Sequence, residues 1–397
     1  MEILLVLLSA LVAFLWLPAI SELAALFRRG HRAPLENKKS TARLLFLVPA
    51  HNEQSLIAEC VDSLVRMSCP EDTRRIVVIA DNCSDATAQV AREHGAEVLE
   101  RHDTASPGKP RAIRWALDQS DLAQWDACVI VDADSTVHPG FATALARFMP
   151  LRSCAVQAYF GTRNEWDSWL TRLAGVLARC RYEVSYPLRQ AAGLNCPMTG
   201  NGMCIGTGLL SNGGWQAFSL TENWELYASY TAGGVPIHYA RDALLLSEEA
   251  RSMNEGATQR RRWLAGRLWV FRKWWRSLLT SSKIGWHQKL DALAELAGPS
   301  PVIHLVLVLA IAAIAVLLVG ESPGLWLAIL AFGSLAPLIV TTGIVIMRHP
   351  EPLKTILAFV MLPPYAVWRI LTALRTVILP GKVWRKTERR GSADRAE

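Results

Sequence analysis

The sequence predicts an α/β fold: a mainly parallel sheet covered by helices on both faces, with apolar helices flanking it. Three observations predict it. Short β-branched apolar runs alternate with helical patterns between residues 44 and 135, at the spacing of βα units. One of these runs, Ala127–Ser135, ends in two carboxylates, Asp132 and Asp134, two residues apart. Apolar residues make up 51% of the chain and are concentrated at its two ends.

Met1–Ile20 is almost wholly apolar and long enough to cross the hydrocarbon core as a helix. It lacks a basic leader and a small-residue cleavage site, so it reads as an anchor rather than a signal peptide. Arg28, Arg29, Arg32, Lys38, Lys39 and Arg43 follow it. That asymmetry predicts a cytoplasmic middle of the chain, at a bacterial inner membrane. The net charge of +7 belongs mostly to these flanks and to the tail. No helix-turn-helix, zinc-finger or RNA-binding signature accompanies it, which argues against nucleic acid as a partner. The eight cysteines are scattered without a Cys-x-x-Cys pair, so they read as reduced thiols.

Leu44–Ala50 reads as a buried strand, followed by His51-Asn52-Glu53 and a helical pattern to about Met67. Arg75–Ala80 is a second strand, ending in Asp81-Asn82-Cys83-Ser84-Asp85, where Ser84 is placed to cap the next helix. A shorter strand follows at Ala96–Leu99. Gly108-Lys109-Pro110 then opens a helix through Leu117, and Ala127–Ser135 is the fourth strand. No Gly-x-Gly-x-x-Gly follows the first strand, which argues against a dinucleotide cofactor. In an extended chain Asp132 and Asp134 share a face at the strand's C-terminal edge, where open α/β sheets bind ligands. Two hard oxygen donors there suit Mg²⁺ or Mn²⁺ shared with phosphate oxygens.

Taken together, Val48-Pro49-Ala50-His51-Asn52-Glu53, Asp81-Asn82, Gly108-Lys109 and Asp132-Ala133-Asp134 resemble the nucleotide-sugar half of family 2 glycosyltransferases of the GT-A fold. Thr221-Glu222-Asn223-Trp224-Glu225 resembles their acceptor-side Thr-Glu-Asp motif. Gln259-Arg260-Arg261-Arg262-Trp263 resembles the Gln-x-x-Arg-Trp signature of the membrane branch, which includes cellulose, chitin and hyaluronan synthases and ceramide glucosyltransferase. The resemblance covers roughly residues 42 to 275. It implies an inverting, metal-dependent transfer from a nucleotide sugar, with a UDP-sugar expected.

By this resemblance Asp134 binds the metal, and Asp132 assists it or holds ribose or diphosphate. Pro49, Ala50, His51, Asn52, Glu53 and Asp81 cradle base and ribose, and Ala133 lies between the two carboxylates. Lys109 at a helix start adds positive charge near the nucleotide, unless it is a solvated lysine. The Gly- and Asn-rich stretch Asn195–Gly214 is expected beside donor and acceptor, unless it is an ordinary loop. Arg262 is expected to pair with the diphosphate through a forked contact, Gln259 to join it, and Trp263 to stack on a sugar or shape an acceptor channel.

One position departs from the pattern. The family places an aspartate after the glutamate as general base; here Asn223 stands there and cannot take a proton. Either Glu222 or Glu225 replaces it, or the acceptor arrives ionised, or the chain is inactive. Ser219 and Glu222 have capping-box spacing, so a helix is expected to start there.

Downstream, Trp269, Trp274, Trp275 and Trp286 interleave with Arg267, Arg272, Lys273 and Arg276, as in a helix lying at a membrane surface. Pro301–Gly320 and Gly324–Met347 read as two spans joined by a turn at Glu321-Ser322-Pro323. Residues from Thr355 contain Pro363-Pro364, Arg369 and Arg375 and read as an interfacial or re-entrant segment before a basic cytoplasmic tail.

The expected organisation is an anchor at 1–27, a GT-A domain at 28–254, the Gln-x-x-Arg-Trp and interface helices at 255–298, a membrane region at 299–379 and a tail at 380–397. The acceptor is expected to be a glycan or a lipid-linked group at the cytoplasmic membrane face. A processive polysaccharide synthase with so few spans would need a homo-oligomer or an export partner. The rival of a different class is a non-catalytic membrane subunit that binds nucleotide sugar and regulates a partner synthase.

Overall fold

The computed structural model describes residues 2–28, 41–211, 214–318 and 321–378. Arg29, Arg32, Lys38, Lys39 and the basic tail lie outside these residues. An eight-stranded mixed sheet forms the centre, in the order β3-β2-β1-β4-β7-β6-β8-β5. Its strands are β1 (Leu44–Ala50), β2 (Arg74–Asp81), β3 (Glu97–Arg101), β4 (Ala127–Ile130), β5 (Ser135–Val137), β6 (Ala155–Thr162), β7 (Met203–Gly206) and β8 (Ile237–Ser247). Strands β3, β2, β1 and β4 are parallel, whereas β7 runs antiparallel to both β4 and β6. This is the doubly covered α/β sheet the strand–helix alternation predicts.

The continuous apolar character of β1 follows from burial on both faces. Leu44, Phe46 and Val48 enter one core with Ile57, Val61 and Phe141. Leu45 and Leu47 enter the other with Ile113, Trp215 and Tyr227. Pro49 is tolerated in this central strand because the β1–β4 ladder stops at Leu47–Ile130, so no partner there needs its missing N–H.

Three expectations are corrected. The fourth strand ends at Ile130, and Val131 still donates to the Leu47 carbonyl at 3.1 Å. Asp132-Ala133-Asp134 then turns, with Ser135 N donating to Asp132 O at 3.0 Å, because the chain must leave β4 to pair as β5 with β8 at the far edge. The two carboxylates therefore lie in a turn rather than along a strand. Within Asn195–Gly214, Met203-Cys204-Ile205-Gly206 is no loop: its apolar run adds β7 to the sheet. Ser84 does not cap its helix, which starts at Thr87; Asp85 Oδ1 accepts from Thr87 N at 3.0 Å instead.

All eight cysteines are free thiols, as their spacing predicts. Among the described residues three helical segments are long and apolar enough to cross a membrane: Glu2–Phe27, Pro323–Arg348 and Pro352–Thr376. Pro301–Leu317 qualifies only jointly with Trp286–Ala297, to which it is bent by 84°. Glu321-Ser322-Pro323 is already helical rather than a turn. The segment from Thr355, read as interfacial or re-entrant, thus lies in one of the three qualifying segments, although a short 3₁₀ turn at Phe359–Met361 interrupts it.

Candidate active site

The site is built at the C-terminal edge of β1, β2 and β4. Each strand delivers a polar loop there, and the loops are stitched to one another. His51 Nδ1 donates to the Asp81 carbonyl at 2.7 Å. Asn52 Oδ1 accepts from Ser84 N at 2.8 Å, and Glu53 N donates to Thr87 Oγ1 at 2.8 Å. Asn52 and Asn82, the residues just past β1 and β2, both hold positive φ, at 55° and 52°. Backbone strain of that kind concentrates at ligand-binding loops.

Asp81 is buried, and both carboxylate oxygens are engaged. Oδ1 accepts from Arg101 Nη1 at 2.6 Å, and Oδ2 accepts from Gly108 N at 3.1 Å. Asp81 thus ties β2 to the start of the Lys109–Asp118 helix. Gly108 has φ 116°, which a side chain would strain.

That turn aims Lys109 across the edge. Its Nζ donates to Asp132 Oδ1 at 2.5 Å and to the Gly200 carbonyl at 2.6 Å, and lies 3.6 Å from Glu222 Oε1. Burial opposes the ammonium charge most strongly, and Arg262 adds to that. The Asp132 and Glu222 carboxylates outweigh both and hold Lys109 above its ordinary pKa. Lys109 is therefore a fixed cation, not a solvated side chain.

The loop before β7 closes the floor. Asn201 Oδ1 accepts from Asp132 N at 3.0 Å, and its Nδ2 donates to Ser135 Oγ at 2.8 Å. Gln157, fully buried in β6, donates to Asn201 O at 2.8 Å and accepts from Thr199 N at 2.9 Å. Sequence reasoning missed Asn201, Gln157 and Arg101 as supports; a lone glutamine within the apolar Ala155–Ala158 run was the available signal.

Asp134 Oδ1 accepts from Ser135 Oγ at 3.0 Å and from Ser247 Oγ at 3.1 Å. Ala133 turns its side chain into the core. Among the described residues no three His, Cys, Asp or Glu side chains gather as a metal cluster. Two carboxylates nevertheless fit Mg²⁺ or Mn²⁺, which take one or two protein carboxylates and complete their shell with water and substrate phosphate. Asp132 and Asp134 would hold that ion.

The helix Glu222–Ala232 starts without a side-chain cap. The Ser219–Glu222 capping box does not form. Ser219 N instead donates at 3.0 Å to Glu225 Oε2, whose Oε1 accepts from Lys273 Nζ at 2.6 Å. Glu225 is thus committed to the long helix Met253–Thr280. Asn223 Nδ2 donates to the Met198 carbonyl at 2.9 Å and holds the floor loop.

The long helix reaches this point through Gly266. A Cβ there would sit 2.4 Å from Thr221 Oγ1, so only glycine allows the approach. One turn earlier lies Arg262, whose Nε is buried without a hydrogen-bond partner. The Gln259 side chain makes no hydrogen bond among the described residues. Trp263 is half-exposed, with the Arg260 guanidinium 4.8 Å from its ring centroid.

Residues 42–266, more than half of the chain, match the family described as Glycosyltransferase like family 2. The chain belongs to glycosyltransferase family 2. The probable glycosyltransferase YdaM of Bacillus subtilis is 25% identical over 247 residues, 60% of this chain and 58% of that protein. The beta-monoglucosyldiacylglycerol synthase of Trichormus variabilis is 28% identical over 218 residues, 52% of this chain and 45% of that protein. The chain thus spans about half the length of the curated relatives it matches. Among solved structures, the mannosyltransferase PcManGT of Pyrobaculum calidifontis, in complex with GDP-Man and Mn²⁺, has a TM-score of 0.62 at 19% identity. It covers 96% of this chain and 99% of its own. That likeness shows the fold, the GT-A arrangement expected from the strand-end motifs. In this family 2 member the motifs at the ends of β1, β2 and β4 converge at one sheet edge, and the long helix brings Arg262 within electrostatic reach of Lys109.

Proposed function

We propose that this family 2 glycosyltransferase is a membrane-bound, inverting, metal-dependent enzyme that takes its sugar from a nucleotide sugar, with a UDP-sugar the first choice. The sugar would pass to a glycan or lipid-linked acceptor at the cytoplasmic membrane face. The carrying observation is Lys109, which joins the Asp132 turn, the Gly200 loop and Glu222 within 3.6 Å. A divalent ion at Asp132 and Asp134 would stabilise the charge that develops on the departing diphosphate. Lys109 and Arg262 supply fixed positive charge beside that group. His51, Asn52, Glu53 and Asp81 form the framework against which base and ribose would lie, with Pro49 and Ala50 setting their height at the end of β1.

The Gln259–Trp263 run supports placement in the membrane branch, and the three qualifying segments support a multi-pass inner-membrane protein. Glu225 is occupied by Lys273, so a hydroxyl acceptor would leave Glu222 alone to take its proton. A regulatory subunit without turnover would bind nucleotide but release nothing. The test is a nucleotide-sugar screen on the full chain in detergent, reading diphosphate release and identifying the product by mass spectrometry. Release from one donor supports the enzyme; nucleotide binding with no release from any donor, across lipid and glycan acceptors, would refute it.

A further inference from the structure

Four arginines and three carboxylates meet where the catalytic domain joins the apolar helices. Arg189 takes Asp291 at 2.9 Å and Glu295 at 3.3 Å, and Glu22 of the first helix faces the same guanidinium. Arg181 lies 3.6 Å from Glu295, which it shares with Arg189. Arg267 and Arg369 reach no carboxylate among the described residues.

These last two are nonetheless fixed at one place. Arg267 Nη2 donates to the Gly298 carbonyl at 2.6 Å, and Arg369 Nη2 donates to Ser300 Oγ at 3.3 Å. Gly298 and Ser300 lie together in the bend between the helices Trp286–Ala297 and Pro301–Leu318. Arg267 and Arg181 also flank the Trp224 ring, at 5.7 and 6.0 Å from its centroid. Arg267 follows Gly266, which packs against Thr221, the residue before Glu222. Burial, reinforced by the like charges of Arg181 and Arg369, brings Arg267 down to about 10 despite Glu295. A partly buried guanidinium that forms no direct ion pair, as at Arg267 and Arg369, is costly, and a guanidinium pair matches a phosphate through forked hydrogen bonds.

We propose that Arg181, Arg267 and Arg369, beside Trp224, form the binding site for the phosphate of a lipid phosphate monoester that is the sugar acceptor. The inference rests on the proposed glycosyl transfer and names its acceptor class. A lipid is favoured over free phosphate because Arg369 lies on Pro352–Thr376, a segment apolar enough to cross the membrane. The chemistry explains Asn223. An ionised phosphate oxygen attacks the anomeric carbon, a new C–O bond forms, and the sugar's C–O bond to the nucleoside diphosphate breaks. The diphosphate leaves with the electron pair, and no proton changes hands. A hydroxyl acceptor would have to lose one proton per sugar.

The test uses the full chain in neutral detergent with a prenyl monophosphate and phosphatidic acid, compared with the prenol, diacylglycerol and inorganic phosphate. At least one phosphate lipid is expected to bind at least tenfold more tightly than its alcohol. Arg267→Gln and Arg369→Gln should each lose most of that preference and Arg267→Lys should keep part of it, with nucleotide affinity, measured alongside, as the fold control. With the active donor at about pH 8, above the second phosphate pKa, transfer should release diphosphate without a matching proton. Equal binding of alcohols and phosphates, or glutamine variants that bind like wild type, would overturn the site. Inorganic phosphate binding as tightly as the lipids would overturn the lipid acceptor, and one proton released per diphosphate would overturn the ionised nucleophile. Lipid phosphate binding without any nucleotide binding would instead sink the donor reading and leave this site standing.

Discussion

Lys109 Nζ lies 2.5 Å from Asp132 Oδ1, so the turn that opens the Lys109–Asp118 helix is clamped to the turn that ends β4. This pair fixes a cation at the sheet edge before any substrate arrives. Lys109→Met should keep the fold yet reduce turnover at least tenfold, about 1.4 kcal/mol or more of transition-state stabilisation. Steady-state kinetics on a variant with a wild-type melting profile checks it; unchanged turnover would make the lysine a strut only.

Arg262 and Trp263 lie on the same long helix but face different surroundings, one partly buried near Lys109, the other half-exposed. Arg262→Ala and Trp263→Ala should each reduce turnover by at least tenfold. For Trp263 the loss should appear with the acceptor varied and not with the donor varied. If both variants match wild type, the run Gln259–Trp263 is a surface helix.

Gly266 sets how closely that helix approaches Thr221. Gly266→Ala would place a methyl 2.4 Å from Thr221 Oγ1, and overpacking of this kind costs about 1–3 kcal/mol. Thermal unfolding should show the loss, and Thr221→Ala in the same chain should recover part of it. A melting temperature equal to wild type would mean the two helices separate freely.

Glu225 bridges Ser219 and Lys273, which engages both of its carboxylate oxygens. Glu225→Gln should cost about 1 kcal/mol of stability while the folded fraction keeps its turnover. Loss of turnover at unchanged stability would return Glu225 to the chemistry.

The donor half was legible because its residues sit at the ends of strands whose pattern is local: Leu44–Ala50, Arg75–Ala80 and Ala127–Ile130 each announce where their loops begin. The turn at Asp132–Asp134 was not, since β5 forms only against β8, more than a hundred residues later. The Ser219–Glu222 spacing misled for a similar reason. Lys273, distant in sequence, anchors Glu225, and the anchored carboxylate outcompetes Glu222 for Ser219 N. Arg181, Arg267 and Arg369 come from three separate helices, and no spacing rule links them.

The most direct measurement is metal-dependent diphosphate release by wild type and Asp134→Ala, titrated with Mn²⁺ and Mg²⁺ after chelation. A divalent ion at the Asp132–Asp134 turn predicts that chelated wild type is inactive and recovers saturably with either metal. It predicts that Asp134→Ala, inserted and folded, fails to recover at any metal concentration. Near wild-type release by Asp134→Ala with saturating Mn²⁺, or undiminished release by the chelated enzyme, would contradict it.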